Sequence, residues 1–173
     1  MRGVTLVEQV ATVLILATLT CVAAPSLAGL VRRNRTQAAQ MDMMEALGYA
    51  RGEAVLRRTR VLFCPTRDRL RCSNSNRWES GWLVGIDRNR DNQPDGPPLR
   101  VGEGYTQLVI RSSRARRHVT FLPDGSAGGS NLTLILCPPG RAQTALGVVV
   151  ANSGRPRGSR PTARQAVDCA AAR

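Results

Sequence analysis

Arg155, Arg157, Arg160 and Arg164 fall within the acid-free stretch Ser153–Arg164, and they are the side chains of this chain best equipped for chemistry. Each guanidinium presents a planar fork of donors and stays charged at any ordinary pH, so a held cluster of them reads phosphate oxygens. Composition offers a plainer alternative, a solvated disordered tail, because Gly, Pro, Ser and Arg have little to bury. Two features favour a held segment. It follows an apolar run directly, and it lies between Cys137 and Cys169, so a bridge between them would tether it as a surface loop. Arg114, Arg116 and Arg117, in a strand-connecting stretch, form a second candidate patch, with a merely solvated hairpin equally well supported there.

All 25 basic residues are arginine, and against 12 acids they leave a net charge of +13, which favours polyanionic partners such as nucleic acid, anionic lipid heads or acidic proteins. Other chemistries are poorly served. His118 is the single histidine, so zinc sites of the HExxH type and clusters of imidazoles cannot be built within one chain. It is flanked by Arg117 and Val119 on an expected strand, and no G-x-S-x-G elbow is present, so no catalytic set is assembled and no cofactor is called for. The loop Asp87–Asp95 resembles the opening of a calcium loop. Asn92 stands where that motif needs glycine, though, and Pro98 where it needs a bidentate glutamate, so a polar hairpin turn is the better reading.

Cys21 sits within an apolar run and is expected to be a small buried hydrophobe. Cys64, Cys72, Cys137 and Cys169 form an even set suited to disulfides in an oxidising compartment. Three pairings are open to four cysteines; the favoured one joins Cys64 to Cys72 across a short loop and leaves Cys137 to hold Cys169 near the tail. Each bridge would contribute about 2–4 kcal/mol, mainly by restricting the unfolded chain. Their spacing lacks the C-x2-C or C-x4-C knuckles of a zinc site.

These residues need elements to position them. From Gln9 to Val31 there are 23 consecutive uncharged residues, long enough as a helix to cross a bilayer at about 1.5 Å per residue. A cleaved secretory signal ending at Ala24 is the alternative, but Pro25 would then follow the cut directly, and Glu8 would place a carboxylate near the start of the apolar run. Arg32, Arg33 and Arg35 mark the end of the span; taken alone, they would be held in the cytoplasm, whereas the cysteines ask for the opposite side. Ala39, Met43, Leu47, Ala50 and Ala54 then step by four and three, the stripe of a helix lying on a core. Anchor and stripe together predict one long helix from about Val4 to Arg58. Beyond it come short β-rich runs at Val61–Cys64, Trp82–Ile86, Gln107–Arg111, Val119–Leu122, Leu132–Cys137 and Leu146–Ala151, separated by turn signals such as Asp124-Gly125. Sequential strands without helices between them imply a largely antiparallel sheet packed on the amphipathic half of the long helix, an α+β fold.

Gly3-Val4-Thr5-Leu6-Val7-Glu8 resembles the G-[FV]-T-L-[IV]-E start of type IV pilins and pseudopilins. That resemblance implies cleavage after Gly3 by a prepilin peptidase, methylation of the new amino terminus at Val4, and retention of the apolar helix as an inner-membrane anchor that becomes filament core. Within a filament, buried Glu8 would pair with the amine of Val4 on a neighbouring subunit, offsetting its desolvation. The implied organisation is a leader at residues 1–3, an anchor helix at 4–31, an amphipathic helix at 32–58 and a β-rich domain at 59–173, with Pro25 marking a kink. Cys64-Pro65, Gly81-Trp82-Leu83-Val84, Leu136-Cys137 and Gly154-Arg155-Pro156-Arg157 narrow the likeness to the FimT/GspH group of minor pilins and pseudopilins. In that group a G-R-x-R segment after the last long strand goes with binding DNA for uptake in natural transformation. Arg155 and Arg157 would then be the main phosphate contacts, with Arg160 and Arg164 extending them. Such a protein would sit as a single-pass inner-membrane subunit with a periplasmic domain and then at the pilus surface, its partners being duplex DNA, other pilin subunits and the prepilin peptidase. Few aromatic residues are present, so base stacking on single strands is not the expected mode. The alternative is a GspH-like pseudopilin or minor pilin with a purely structural role in priming or assembling a filament, for type II secretion or for pilus biogenesis.

Overall fold

The computed structural model describes residues 5–113 and 116–172, apart from the side chains of residues 22–26. Gly3, Val4 and Arg114 lie outside the described residues. The chain divides into two compact units between Arg35 and Thr36.

In the first unit the chain enters helix α1, Leu6–Arg57, whose assignment is unbroken at Pro25. Thr5 caps it: the Glu8 N–H donates to the Thr5 carbonyl at 3.1 Å and lies 3.4 Å from its hydroxyl. The threonine hydroxyls further along turn inward to the backbone, Thr12 donating to the Gln9 carbonyl at 2.8 Å and Thr18 to that of Ile15 at 2.8 Å. Their polarity is thereby satisfied within an otherwise apolar helix. Leu6, Val7, Val13, Leu14, Leu16 and Leu19 are exposed. Cys21 is exposed with them, against the expectation of a buried hydrophobe, because its apolar neighbours on this stretch of helix are uncovered too. Among the described residues, no helix is long and apolar enough to cross a membrane.

In the second unit α1 behaves differently, since Ala39, Met43, Leu47, Ala50 and Ala54 are all buried. The alanines keep the helix slim, so the strands approach it closely. Arg58, at φ 48°, ends the helix in the left-handed conformation, its N–H donating to the Val55 carbonyl at 3.3 Å and that of Thr59 to Ala54 at 3.2 Å. Among the described residues eight strands follow: β1 (Val61–Pro65), β2 (Trp82–Ile86), β3 (Arg100–Gly102), β4 (Val109–Ser112), β5 (Val119–Phe121), β6 (Leu132–Cys137), β7 (Leu146–Val150) and β8 (Pro156–Ser159), and after them a short helix, α2 (Ala163–Ala170).

The strands form two antiparallel sheets, ordered β3-β2-β1-β5 and β4-β6-β7-β8. β5 belongs to the first sheet although β4 and β6, its neighbours in the chain, belong to the second, which divides what the sequence pattern alone reads as a single sheet. Both sheets turn one face to the core, where Phe63, Trp82, Val119, Leu134 and Val148 join the helix stripe. Phe63 stacks on Trp78 with ring centroids 5.2 Å apart. Each large side chain buried here contributes about 1.5–3 kcal/mol. The reverse faces are covered by disulfide-pinned segments. Leu62, Cys64 and Leu83 pack with Cys72, bonded to Cys64 across a separation of 8 residues. Val109, Ile135, Cys137 and Ala145 pack with Ala166 and Cys169 of α2, where Cys169 is bonded to Cys137 across 32 residues.

Candidate nucleic-acid interface

The segment that carries the C-terminal arginines begins at Gly154, whose φ is +77°. A Cβ there would lie 1.9 Å from the Gly125 carbonyl oxygen, so only glycine fits. Its N–H donates to the Ala151 carbonyl at 2.8 Å, and the Ala127 N–H donates to Asn152 at 2.8 Å. Arg51 of α1 donates from Nε to the Gly125 carbonyl at 2.9 Å, which ties the Asp124–Gly125 turn to the helix. Arg155 therefore leaves a turn that is fixed by backbone on two sides.

Pro156–Ser159 then adds β8 to the edge of the second sheet, in the register Val149↔Arg157 and Gly147↔Ser159. This corrects the expectation of a tethered loop: the segment buries little side chain, but the free edge of β7 satisfies its backbone. Gly158 lies against α1, where a Cβ would stand 3.2 Å from Gln40 Nε2, and Gln40 itself donates to the Gly147 carbonyl at 2.7 Å. Because side chains alternate across a strand, Arg157 points to the opposite face, away from α1.

Ser159 leads through Arg160 into α2. Thr162 and Gln165 form a reciprocal capping box at its start, the Thr162 N–H donating to Gln165 Oε1 at 2.9 Å and the Gln165 N–H to Thr162 Oγ1 at 3.3 Å. Arg164 follows in the first helical turn. Arg155, Arg157, Arg160 and Arg164 are all exposed, and among the described residues no ion pair or hydrogen bond engages their side chains.

The other arginine group occupies the far edge of the same sheet, beyond β4. Arg116 and Arg117 are exposed but employed: Arg116 donates to the Gly129 carbonyl at 3.0 Å and Arg117 to Asn74 Oδ1 at 2.5 Å. Three strand spacings, about 14 Å, separate this edge from β8. His118 beside them is half-buried and precedes β5 instead of lying within a strand. Burial lowers its pKa; the nearby Asp87 carboxylate opposes that shift, and Arg60 and Arg116 reinforce it.

Most oxygens of the Asp87–Asp95 loop are spent on itself and its neighbours, although Asp87 Oδ1 is buried without a hydrogen-bond partner among the described residues. Asp87 is buried and pairs with Arg60 at 3.3 Å, while Asp91 Oδ1 accepts from the Gln93 N–H at 2.8 Å and Asp95 Oδ2 from the Arg88 N–H at 2.5 Å. The aromatic rings are likewise committed, Trp78, Trp82, Phe63 and Phe121 being buried in the core and Trp82 Nε1 donating to the Tyr105 hydroxyl at 3.0 Å. Glu8 lies in the exposed first turn of α1. Sequence reasoning placed Arg111 of β4 at the end of an expected strand but did not count it among the candidate phosphate contacts.

The sequence profile of the family described as type II transport protein GspH matches residues 39–154. No curated protein matches the chain at a significant level. Among solved structures, the type IV minor pilin FimU of Pseudomonas aeruginosa has a similar fold in two crystal forms. In one the TM-score is 0.59 at 23% identity, covering 71% of this chain and 91% of FimU. In the other it is 0.60 at 22% identity, covering 78% and 94%. Taken together, the matched profile and the helix packed on two antiparallel sheets place this chain in the GspH family, with the fold of a minor pilin.

Proposed function

We propose that this chain is a minor pilin that binds duplex DNA without sequence preference and serves DNA uptake in natural transformation. The observation that carries this reading is the set Arg155, Arg157, Arg160 and Arg164, exposed and without acid partners, on an edge strand and helix held by Gly154 and the Cys137–Cys169 bridge. Phosphate contacts of this kind position a duplex but carry no sequence information, and affinity falls steeply with salt. Arg114, Arg116 and Arg117 form a second, weaker patch. With both tryptophans and both phenylalanines buried, the surface offers little for stacking single-stranded bases.

Assembly uses the other end. Cleavage after Gly3 frees Val4 for methylation, and the exposed apolar residues between Leu6 and Leu19, with Leu27 and Leu30, are covered first by the inner membrane and then by sibling subunits. Glu8 pairs with a neighbour's Val4 amine as that surface is buried. The domain beyond the anchor stands in the periplasm before assembly and at the pilus surface afterwards, and the protein works as a subunit, not an enzyme.

A purely structural reading, a GspH-like pseudopilin that primes or caps a filament, is favoured by one observation: the exposed apolar half of α1 serves assembly whether or not DNA binds. A gel shift with the full chain in neutral detergent decides between the two. Wild type should retard unrelated duplexes equally at moderate salt, and Arg155→Gln with Arg157→Gln should weaken all of them alike. If wild type retards none of them, the structural reading replaces this one.

A further inference from the structure

Between α2 and the outward face of the second sheet runs a groove of about 680 Å³, lined among others by Asn76, Arg111, Ser113, Thr133, Arg164 and Asp168. Arg111 comes from the sheet. Its strand neighbour Ile110 belongs to the core cluster, so alternation turns Arg111 outward, opposite Ile135 in register. Its Nε is buried and has no hydrogen-bond partner among the described residues. A buried donor without an acceptor is costly, while Arg111 as a whole is only half-buried and lines the groove, so an anion held there by the guanidinium offsets part of that cost.

Arg164 reaches the groove from the other wall, in the first turn of α2. A cation at that helix end is opposed by the helix dipole, and a bound anion relieves the conflict. Asn76 is held at the strand edge, its carbonyl accepting from the Ser112 N–H at 3.0 Å, and with the Ser113 and Thr133 hydroxyls it supplies neutral donors. Asp168 is the one carboxylate among the lining residues, and no ion pair joins it to either arginine among the described residues. Two guanidiniums and several neutral donors around one carboxylate suit a tetrahedral oxyanion that accepts from several directions.

The groove also lies in line with the exposed arginines. Thr133 pairs with Val149 and Val149 with Arg157, so one outward row leads from the groove to Arg157 across two strand spacings, about 10 Å. Each strand of duplex DNA carries one charge per about 3.4 Å of axis, so a backbone crossing that row meets both places.

We propose that this groove is a phosphate subsite of the DNA-binding face, in which Arg111 and Arg164 grip one backbone phosphate while Asp168 limits the affinity. The proposal rests on the DNA-binding reading above for the source of the phosphate, but the anion preference of the groove stands apart from it.

The test uses the full chain, oxidised, in neutral detergent. Inorganic phosphate should shift the Arg111 Nε–H resonance in wild type and equally in the Arg155→Gln/Arg157→Gln variant. With a mixed-sequence duplex, Arg164→Gln and Arg111→Gln should each lower the slope of log affinity against log salt by about one. Asp168→Asn should tighten binding several-fold. Arg164 is exposed, so its variant tests the groove even if Arg111→Gln disturbs the fold. An unmoved Arg111 signal, or wild-type salt slopes in both arginine variants, overturns the subsite while leaving Arg155 and Arg157 in place. Phosphate shifts without any retarded duplex keep the anion site and overturn the DNA reading instead.

Discussion

Two groups of arginines occupy opposite edges of one sheet, equally exposed and differently engaged. At the β4 edge, Arg116 and Arg117 donate to Gly129 and Asn74 and so fasten the β4–β5 connection to its neighbours. At the β8 edge, Arg155 and Arg157 project from a backbone already fixed by Gly154 and by pairing with β7, so their side chains owe nothing to the fold. A net charge of +13 counts both groups alike. What separates them is whether the main chain or the guanidinium does the holding, because a donor already bonded within the protein must be released before it can meet a phosphate.

That contrast can be broken most forcefully at the Cys137–Cys169 bridge. Replacing both cysteines by serine opens a 32-residue link and should cost about 3–4 kcal/mol in denaturant unfolding. A loss under about 1 kcal/mol would mean that the bridge adds little to the hold that Gly154 and pairing with β7 already give the β8 edge. Gly154→Ala comes next. A side chain at φ +77° facing the Gly125 carbonyl should cost about 2–3 kcal/mol and displace Arg155, lowering duplex affinity without removing any charge. Unchanged stability would show that the turn can relax and that the arginines are not prepositioned.

Charge removal sharpens the comparison. Arg155→Gln with Arg157→Gln should reduce the salt slope by about two, and Arg116→Gln with Arg117→Gln by less than one, in salt-titrated binding. Equal slopes would erase the distinction between the edges. The smallest effect concerns pH at the β4 edge. His118 has its pKa lowered from 6.5, so the folded state binds fewer protons than the unfolded state. Its contribution is complete above the unfolded value and is lost as pH falls through the lowered one. Thermal unfolding should therefore show stability declining on acidification below about 6.5, less so in His118→Gln.

The contrast also explains what could be read from residues alone. The helix stripe at Ala39, Met43, Leu47, Ala50 and Ala54 and the β-branched strand runs were legible because burial dictates their pattern, and all five stripe residues are buried. β3 and β8 were not, since Arg100–Gly102 and Pro156–Ser159 are short edge strands whose order comes from backbone pairing, which leaves no hydrophobic signature. α2 did leave one: Thr162 followed by Gln165 is a capping-box spacing ahead of alanine-rich sequence, outweighed by the Gly, Pro and Arg before it. The cation in the groove was hidden for another reason, as the position of Arg111 opposite α2 depends on a disulfide linking distant segments.

Pro156 opens β8 without an N–H to offer, and the strand is only 4 residues long, with Arg157 at its second position. Such an edge resists growth of the sheet by a strand from an adjacent molecule, since one donor is missing and like charges oppose the approach. On the proposed reading of a subunit packed beside copies of itself, cationic side chains there also act as insulation against fibrous adhesion, so a variant stripped of them is expected to gain a stickier border.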